Sequence, residues 1–166
     1  RGVYVDGTNT SGVEDGSYPN PYNTIQEGIN TAAAGDTIWV APGTYMENLL
    51  LKSDIRLQGA GAEVTTIDGS AGGNYSYVMT IPDTYHHDIT IDGFTITGTC
   101  YKGICNGGLY ATMDLSAITI SNNIFDTIGY YDTYDRRWNG LAIHLFVIDN
   151  STFHNNIIIN NQLELL

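Results

Sequence analysis

Residues 22–45 read YNTIQEGINTAAAGDTIWVAPGTY, and this stretch decides the fold. Thr24 followed by Glu27 has the spacing of a capping box, in which a hydroxyl and a carboxylate satisfy free backbone donors at a helix start. The next apolar residues share one helical face, at i, i+4, i+7 and i+8 spacing: Ile25, Ile29, Ala32 and Ala33. A Gly-Asp break, a strand and a Pro-Gly turn follow. We therefore predict a short, one-sided helix over residues 24–34 that is ended by Gly35.

Short apolar strands recur downstream of this helix. Three segments align with offsets of 29 and 28 residues: DITIDGFTITG (88–98), AITISNNIFDTIG (117–129) and LFVIDNSTFHNN (145–156). One inward position is then shared by Ile91, Ile120 and Ile148. The corner that follows is shared by Gly93, Asn122 and Asn150, where left-handed turns and stacked amides are expected. Weaker matches are DTIWVAPG (36–43), DIRLQGAG (54–61), and the series YVMTI (77–81), GLYAT (108–112) and GLAIH (140–144).

Repeats of this length, each with two or three short strands, indicate a solenoid in which every unit buries its apolar side against its neighbours. A propeller blade needs four strands in ~40–45 residues, which is longer than these copies. We therefore predict a parallel β-helix of about five coils. Because an open β-helix end exposes core and unpaired strands, the helix is expected to cover the N-terminal end. The predicted buried rows contain Ile38, Ile55, Ile89, Ile91, Ile118, Ile120 and Ile148.

The N-terminal pattern also resembles a known superfamily. The stretch YVDGTN…YNTIQEGINTAAAGDTIWVAPGTYMENLLLKSDIRLQGAG…TTIDG is similar to the N-terminal segment of the pectate-lyase-like, right-handed parallel β-helix proteins. The similarity covers residues 3–69, and the later Ile-Thr-Ile repeats match more loosely. It implies an all-β, right-handed parallel β-helix with a short N-terminal capping α-helix. It also implies a secreted or cell-surface protein that acts on or binds extracellular polysaccharide, as a lyase, a glycoside hydrolase or a non-catalytic module.

The chain departs from that superfamily in ways that leave its activity open. Neither a Gly-Asn-Gly-x-x-Asp-Trp esterase motif nor an Asp-rich calcium set beside a stacked Arg is present in the sequence, so no catalytic residue is carried over. Lyases of this type have more coils. We expect residues 1–166 to form one β-helix domain, which is a fragment or the N-terminal part of a longer β-helix.

Charge limits the range of partners. Asp and Glu outnumber Lys and Arg by 18 to 6, which gives a net charge of −12. Nucleic acid is therefore not an expected partner, since phosphate binding needs clustered cations. No apolar run approaches the ~20 residues of a membrane helix, so membrane insertion is not expected. Low charge with many small polar residues is typical of extracellular β proteins, and three Asn-x-Ser/Thr sequons, at Asn9, Asn74 and Asn150, add weak support.

Two inserts between equivalent strands are predicted to form the sugar site: residues 97–106 and 126–139. The residues expected to bind substrate are Tyr101, Tyr130, Tyr131, Asp132, Tyr134, Asp135 and Trp138. Aromatic faces stack on sugar rings, and Arg and Asp hold hydroxyls or uronate carboxylates. The candidate catalytic residues are Arg136 or Arg137, to neutralise a uronate, and Lys102 or His144, as a base. Alternatively, Asp132 and Asp135 form a glycosidase pair, or the insert is a solvated loop with ordinary surface ion pairs.

Metal chemistry is not predicted. His86 and His87 are interpreted as exposed turn residues, and His144 and His154 lack a second ligand at a recognised spacing. The recurring outward positions Asp92, Ser121 and Asp149 form either a shallow stripe able to hold Ca²⁺ or turn-forming residues. Cys100 and Cys105 allow a small disulfide loop or two free thiols.

The C-terminal segment IIINNQLELL (157–166) looks uncapped. An open end of this kind is a template for pairing with another chain, so self-association through it is expected. The alternative is that QLELL folds across the opening as a minimal lid.

Overall fold

The protein was examined as a computed structural model that describes residues 1–72, 77–81, 86–98, 107–111, 115–128, 130–132, 137–139, 141–145 and 148–160. Within these residues the helix α1 spans Ile25–Thr31, and a 3₁₀ turn spans Gly69–Gly72. The strands, in chain order, are β1 (Gly2–Val5), β2 (Asp36–Val40), β3 (Gly43–Tyr45), β4 (Leu49–Leu50), β5 (Ile55–Gly59), β6 (Thr65–Asp68), β7 (Tyr77–Ile81), β8 (His86–His87), β9 (Ile89–Asp92), β10 (Thr95–Gly98), β11 (Gly107–Ala111), β12 (Leu115–Ser116), β13 (Thr119–Ser121), β14 (Ile124–Ile128), β15 (Tyr130–Asp132), β16 (Arg137–Asn139), β17 (Leu141–Leu145), β18 (Ile148–Asp149), β19 (Thr152–His154) and β20 (Ile157–Ile159).

Parallel pairing dominates the fold. The largest sheet has six strands in the order β1-β2-β5-β9-β13-β19, and a second has five in the order β3-β6-β10-β14-β20. A four-stranded sheet (β4-β7-β11-β17) and a three-stranded sheet (β8-β12-β18) complete the parallel set. Among the described strands, β15 and β16 form the antiparallel pair. The predicted all-β class with mostly parallel strands is therefore confirmed.

The chain visits these sheets in a repeating order. Strands β5, β6, β7 and β8 contribute one strand to each parallel sheet in turn, and β9 to β12 do the same. Strands β13, β14, β17 and β18 repeat the order, with the β15–β16 hairpin inserted between β14 and β17. Each pass therefore places its strands beside the equivalent strands of the previous pass.

The apolar side chains stack in rows across the sheets. One inward row of the six-stranded sheet runs through Val3, Ile38, Leu57, Ile91, Ile120 and Phe153. Six of the residues predicted to be buried have at most 2% of their surface exposed: Ile38, Ile55, Ile89, Ile91, Ile118 and Ile120. The side chain of Ile148 lies outside the described residues. These burials confirm the inward positions read from the alternating sequence.

The predicted alignment of the third repeat is wrong. Ile120 pairs with Phe153, an offset of 33 residues, rather than with Ile148. The left-handed corner after this strand is formed by Asn122 and Asn155, with φ of 56° and 54°. Asn150 instead lies one corner earlier, and Asp149 pairs with Ser116 rather than stacking on Ser121.

Stacked amides explain this register. Asn155 Nδ2 donates to Asn122 Oδ1 at 3.2 Å, so coil-to-coil amide bonds do form, but at a different residue pair. The fully buried Asn123 donates its Nδ2 to Asn156 Oδ1 at 3.2 Å. A smaller shift affects the strands of the four-stranded sheet, since Leu109 pairs with Ile143 rather than Leu141.

Helix α1 begins as predicted after Thr24, but its cap differs. Thr24 Oγ1 accepts from Glu27 N at 3.3 Å, while its hydroxyl donates to Glu27 Oε2 at 2.6 Å. The first two helical N–H groups, of Ile25 and Gln26, donate to the carboxylate of Glu47 at 2.8 and 3.0 Å. Glu47, which lies beyond β3, therefore satisfies two helical N–H groups that a capping box leaves free.

The helix ends at Thr31, three residues before the predicted end. Lys52 Nζ donates to the carbonyl oxygens of Asn30 and Ala32, at 3.2 and 2.6 Å, and this cation suits a helix C-terminus. Ala33, predicted on the apolar face, is exposed. Gly35, with φ of +83°, makes the turn into β2 instead of capping the helix.

The buried face of α1 packs on β1, β2 and β4. Ile25 and Ile29 are buried, and a Cβ added to Gly28 would lie 2.8 Å from Val5 Cγ2 and 3.1 Å from Ile38 Cγ2. Only glycine therefore allows this close approach of helix and sheet. In the part of the chain that the structure describes, no helix is long and apolar enough to cross a membrane.

Candidate functional site

The outer face of the six-stranded sheet carries a continuous row of side chains. Parallel register places one outward residue of each strand in line: Tyr4, Trp39, Gln58, Asp92, Ser121 and His154. Adjacent strands lie about 4.8 Å apart, so this row spans about 24 Å. It changes along its length from aromatic, at β1 and β2, to polar, from β5 onward.

A cavity of about 710 Å³ opens at the aromatic end of this row. Its floor includes Tyr4, Trp39 and Gln58 of the sheet, and the segment between β1 and α1 forms its wall. The wall and rim residues are Asp6, Asn9, Tyr18, Pro19, Pro21, Ala41 and Ala60. This volume is in the range of small-molecule sites. We call this surface the aromatic cavity.

Three aromatic side chains shape the aromatic cavity. Tyr4 and Tyr18 meet edge to face, with ring centroids 5.4 Å apart and an interplanar angle of 83°. Trp39 is 46% exposed and Tyr18 is 79% exposed, which is unusual for such large apolar groups. Exposed aromatic rings at the mouth of a cavity are typical of a binding surface rather than of a core.

The wall is held by backbone and amide hydrogen bonds. Tyr4 N donates to Gly16 O at 2.9 Å, and Tyr22 N donates to Tyr4 O at 3.0 Å, so the segment runs along β1. Asn9 Nδ2 donates to the carbonyl oxygens of Val13 and Pro21, at 3.2 and 2.6 Å. Asn9 is therefore a structural residue of this wall.

Asp92 is the most heavily hydrogen-bonded carboxylate next to the aromatic cavity. Its oxygens accept from Gln58 Nε2 at 2.7 Å, from Ser121 Oγ, and from Asn122 Nδ2 at 2.7 Å. Partial burial acts to raise the pKa of this carboxyl, but the hydrogen bonds, led by that from Ser121, outweigh burial and hold the pKa below its usual value. Asp92 therefore presents a stable negative charge and does not suit the role of a proton donor.

A second cluster lies at the opposite end of the same strands. His87 Nδ1 is 2.9 Å from Asp88 Oδ2 and 3.5 Å from Asp54 Oδ1, and one ligand atom of each side chain lies within 4.8 Å of the others. These residue types can coordinate a divalent cation. Pairing of His87 with the two Asp side chains explains this close arrangement equally well. In addition, His87 N donates to Ser53 Oγ at 3.3 Å. The interpretation of His87 as a simple exposed turn residue is wrong, since it lies in β8 and is only partly exposed.

The predicted site falls mostly outside the described residues. Tyr101, Lys102, Tyr134, Asp135, Arg136, Cys100 and Cys105 lie outside them entirely. For Tyr130, Tyr131, Asp132, Arg137, Trp138 and His144 the structure gives the backbone only, in β15, β16 and β17. The segment predicted as an open insert thus contains an antiparallel hairpin, in which Tyr131 pairs with Trp138 and Asp132 with Arg137.

The flanks of the two inserts do come together. Both leave from neighbouring paired strands, β10 and β14, and both return at β11 and β17, which also pair. These flanks belong to the five- and four-stranded sheets, whereas the aromatic cavity lies on the six-stranded sheet.

The sequence does contain a signal for the outward position of two aromatic residues of this cavity. Tyr4 alternates with the buried Val3 and Val5, and Trp39 lies between the buried Ile38 and Val40, so both aromatics had to point outward. Strand pairing of β1 with β2, which brings the two rings together, could not be read from local sequence.

A scan against protein-family models finds no match for this chain, and a search of curated proteins finds no similar protein.

Proposed function

We propose that this chain is a right-handed parallel β-helix of the pectate-lyase-like type, and that it binds extracellular polysaccharide in the aromatic cavity. The repeated order of strands through four parallel sheets supports the β-helix, and α1, packed on β1 and β2, takes the place of its N-terminal cap. A secreted or cell-surface location follows from the polysaccharide ligand.

The observation that carries the proposed binding is the set of three aromatic rings around a cavity of about 710 Å³. A pyranose ring has apolar C–H faces and polar hydroxyl edges. Trp39 and Tyr18 offer exposed rings for the apolar faces, and the carboxylate of Asp6 on the wall is an acceptor for the hydroxyl edges. The outward row continues past Gln58. A bound polymer therefore has room to extend along the sheet beyond the aromatic cavity, and one sugar unit does not need to occupy the whole row.

Catalysis is a further part of the proposal and rests on the sequence. A lyase would use Arg136 or Arg137 with Lys102 or His144, and a glycosidase would use Asp132 and Asp135. The surroundings of the aromatic cavity favour ligand binding over catalysis. Asp92, next to the cavity, already accepts three hydrogen bonds and keeps its charge, so it does not suit proton transfer. We propose no required cofactor. A calcium stripe through Asp92, Ser121 and Asp149 loses its support because Asp149 pairs elsewhere.

The test is calorimetric titration with a panel of neutral and acidic polysaccharides. We expect Trp39→Ala to weaken binding by about tenfold or more, which corresponds to ~1.4 kcal/mol. The matched control is Trp138→Ala, which removes the chain's other tryptophan. Loss of binding in the Trp138 variant with full binding in the Trp39 variant would transfer the site to residues 126–139, as the sequence alone predicted. Assays for unsaturated uronate products and for new reducing ends decide whether binding is followed by cleavage.

A second candidate function is a non-catalytic surface module that associates with further copies of itself. One observation favours it: Phe153, Ile157, Ile158 and Ile159 on β19 and β20 are between 40% and 51% exposed. Exposed apolar edge strands pair readily with other strands. Sedimentation of wild type and Ile158→Glu tests this candidate, and a monomer at all concentrations would remove it.

A further inference from the structure

We infer that the stretch of polysaccharide held in the aromatic cavity is uncharged, and that polyuronates are excluded from it. This inference rests on the proposed function and specifies the class of glycan that the same site takes. It follows from the sign of the charges around the cavity.

Among the described residues, the charged group that lines the aromatic cavity is a carboxylate. Asp6 lies on its wall, where Oδ1 accepts from Thr8 N at 2.9 Å and from Thr8 Oγ1 at 2.7 Å. Asp92 occupies the next position of the outward row after Gln58. Asp92 lies outside the lining, and its charge is partly offset by Arg56. The repulsion inside the cavity therefore comes from Asp6: a uronate there would bring a second negative charge into a partly enclosed space, where like charges repel more strongly than in bulk water.

No cation with a described side chain lines the aromatic cavity. Among Lys and Arg, those side chains belong to Arg1, Lys52 and Arg56. Lys52 is held at the end of α1 by two carbonyl oxygens. Arg56 is on the same sheet face, two residues before Gln58, but it lines a separate depression that also contains Asp36, Asp54 and Asp88. The bidentate Arg contacts that usually recognise carboxylates are therefore missing from the described lining.

Hydrogen-bond chemistry points in the same direction. Ionised carboxylates accept hydrogen bonds and cannot donate them. Sugar hydroxyls can donate to Asp6, whereas a uronate carboxylate cannot. The side chain that repels a uronate carboxylate thus provides an acceptor for a hydroxyl at the same position of a neutral sugar.

The experiment compares neutral gluco-, manno- and xylo-oligosaccharides with oligogalacturonate of matched length, by calorimetry at low and high salt. At low salt we expect at least one neutral series to bind at least about tenfold more tightly than oligogalacturonate. The ratio of the two affinities should fall at high salt, because salt screens the carboxylates. Asp6→Asn should raise oligogalacturonate affinity at low salt and so reduce the ratio between neutral and acidic affinities, since it removes the negative charge while the amide oxygen can still accept from Thr8. The matched control Asp149→Asn, an exposed carboxylate on β18, should leave both unchanged.

The outcomes separate the two claims. Oligogalacturonate binding as tight as, or tighter than, every neutral series would overturn this inference and leave polysaccharide binding intact. An absence of binding to any glycan in the panel would overturn the proposed function itself. A neutral preference that Asp6→Asn does not alter would remove Asp6 as its cause and would also contradict the inference.

Discussion

Glu47→Ala is expected to weaken the N-terminal part of the fold, because one carboxylate holds the start of α1. Its Oε1 and Oε2 accept from Ile25 N and Gln26 N at 2.8 and 3.0 Å, and the three groups are partly buried. Alanine leaves both N–H groups without this acceptor and removes a negative charge from a helix N-terminus. Loss of a helix N-cap costs about 0.5–2 kcal/mol. Two charge-assisted bonds to one group place the expected loss near the upper end, at about 2 kcal/mol.

Two variants make the measurement specific. Glu47→Gln keeps one amide oxygen as an acceptor but loses the charge, so its stability should fall between those of wild type and Glu47→Ala. Glu63→Ala removes an exposed carboxylate in the turn before β6 and should change stability by less than about 0.5 kcal/mol. Urea unfolding followed by tryptophan fluorescence gives the free energies. Equal stabilities for Glu47→Ala and Glu63→Ala would refute the assignment of Glu47 as the helix cap.

Three further perturbations follow from the packing and the hydrogen bonds. Ile120→Ala empties a fully buried position and should cost about 2–5 kcal/mol in urea unfolding; a loss below 1 kcal/mol would contradict the stacked row. Asn123→Ala leaves Phe94 N and Ile91 O without their amide partners, so the free energy of unfolding should fall by about 2–4 kcal/mol in the same assay. An unchanged free energy of unfolding would contradict the structural role of this amide. Asp92 has a lowered pKa in the folded protein, so its stabilising effect is present above the unfolded pKa of ~3.9 and is lost as pH falls through the folded value. The stability gap between wild type and Asp92→Asn should therefore shrink in acid, and a gap that grows there would contradict this sign.

The sequence predicted the features of the fold that depend on local pattern. Alternation in DTIWV and DITID placed the inward side chains correctly, and Thr24 marked the helix start. The helix end was missed because Lys52, which holds the last carbonyls, is about 20 residues away in sequence. A local pattern cannot show which distant cation reaches a helix terminus.

The register of the third repeat was missed for a similar reason. Two alignments of the last segment place an apolar residue opposite Ile120, and only one of them stacks the amides of Asn123 and Asn156. Hydrogen bonds between passes thus decide a register that hydrophobic pattern leaves ambiguous. The insert between β14 and β17 lengthens that pass, so a constant offset between repeats does not predict the strand register.

The site predicted at residues 97–106 and 126–139 stays a prediction, and the aromatic cavity is a separate candidate that the sequence did not indicate. Aromatic rings with nearby carboxylates were expected in residues 126–139, and the described structure offers the same combination at Tyr4, Tyr18, Trp39 and Asp6. Proximity of Tyr18 to Trp39 depends on the path of the segment between β1 and α1, which is fixed by hydrogen bonds of Asn9 and Tyr22. The path of this segment cannot be predicted from the local sequence.

The most direct test of glycan binding at the aromatic cavity uses the two tryptophans as separate reporters. In a Trp138→Phe variant, Trp39 is the sole tryptophan of the chain. We expect a saturable change in its emission on titration with the neutral oligosaccharide that binds best, with the same dissociation constant as calorimetry gives. An unchanged emission spectrum at full calorimetric saturation would contradict the account, and it would do so most clearly if Trp138 responded in the Trp39→Phe variant.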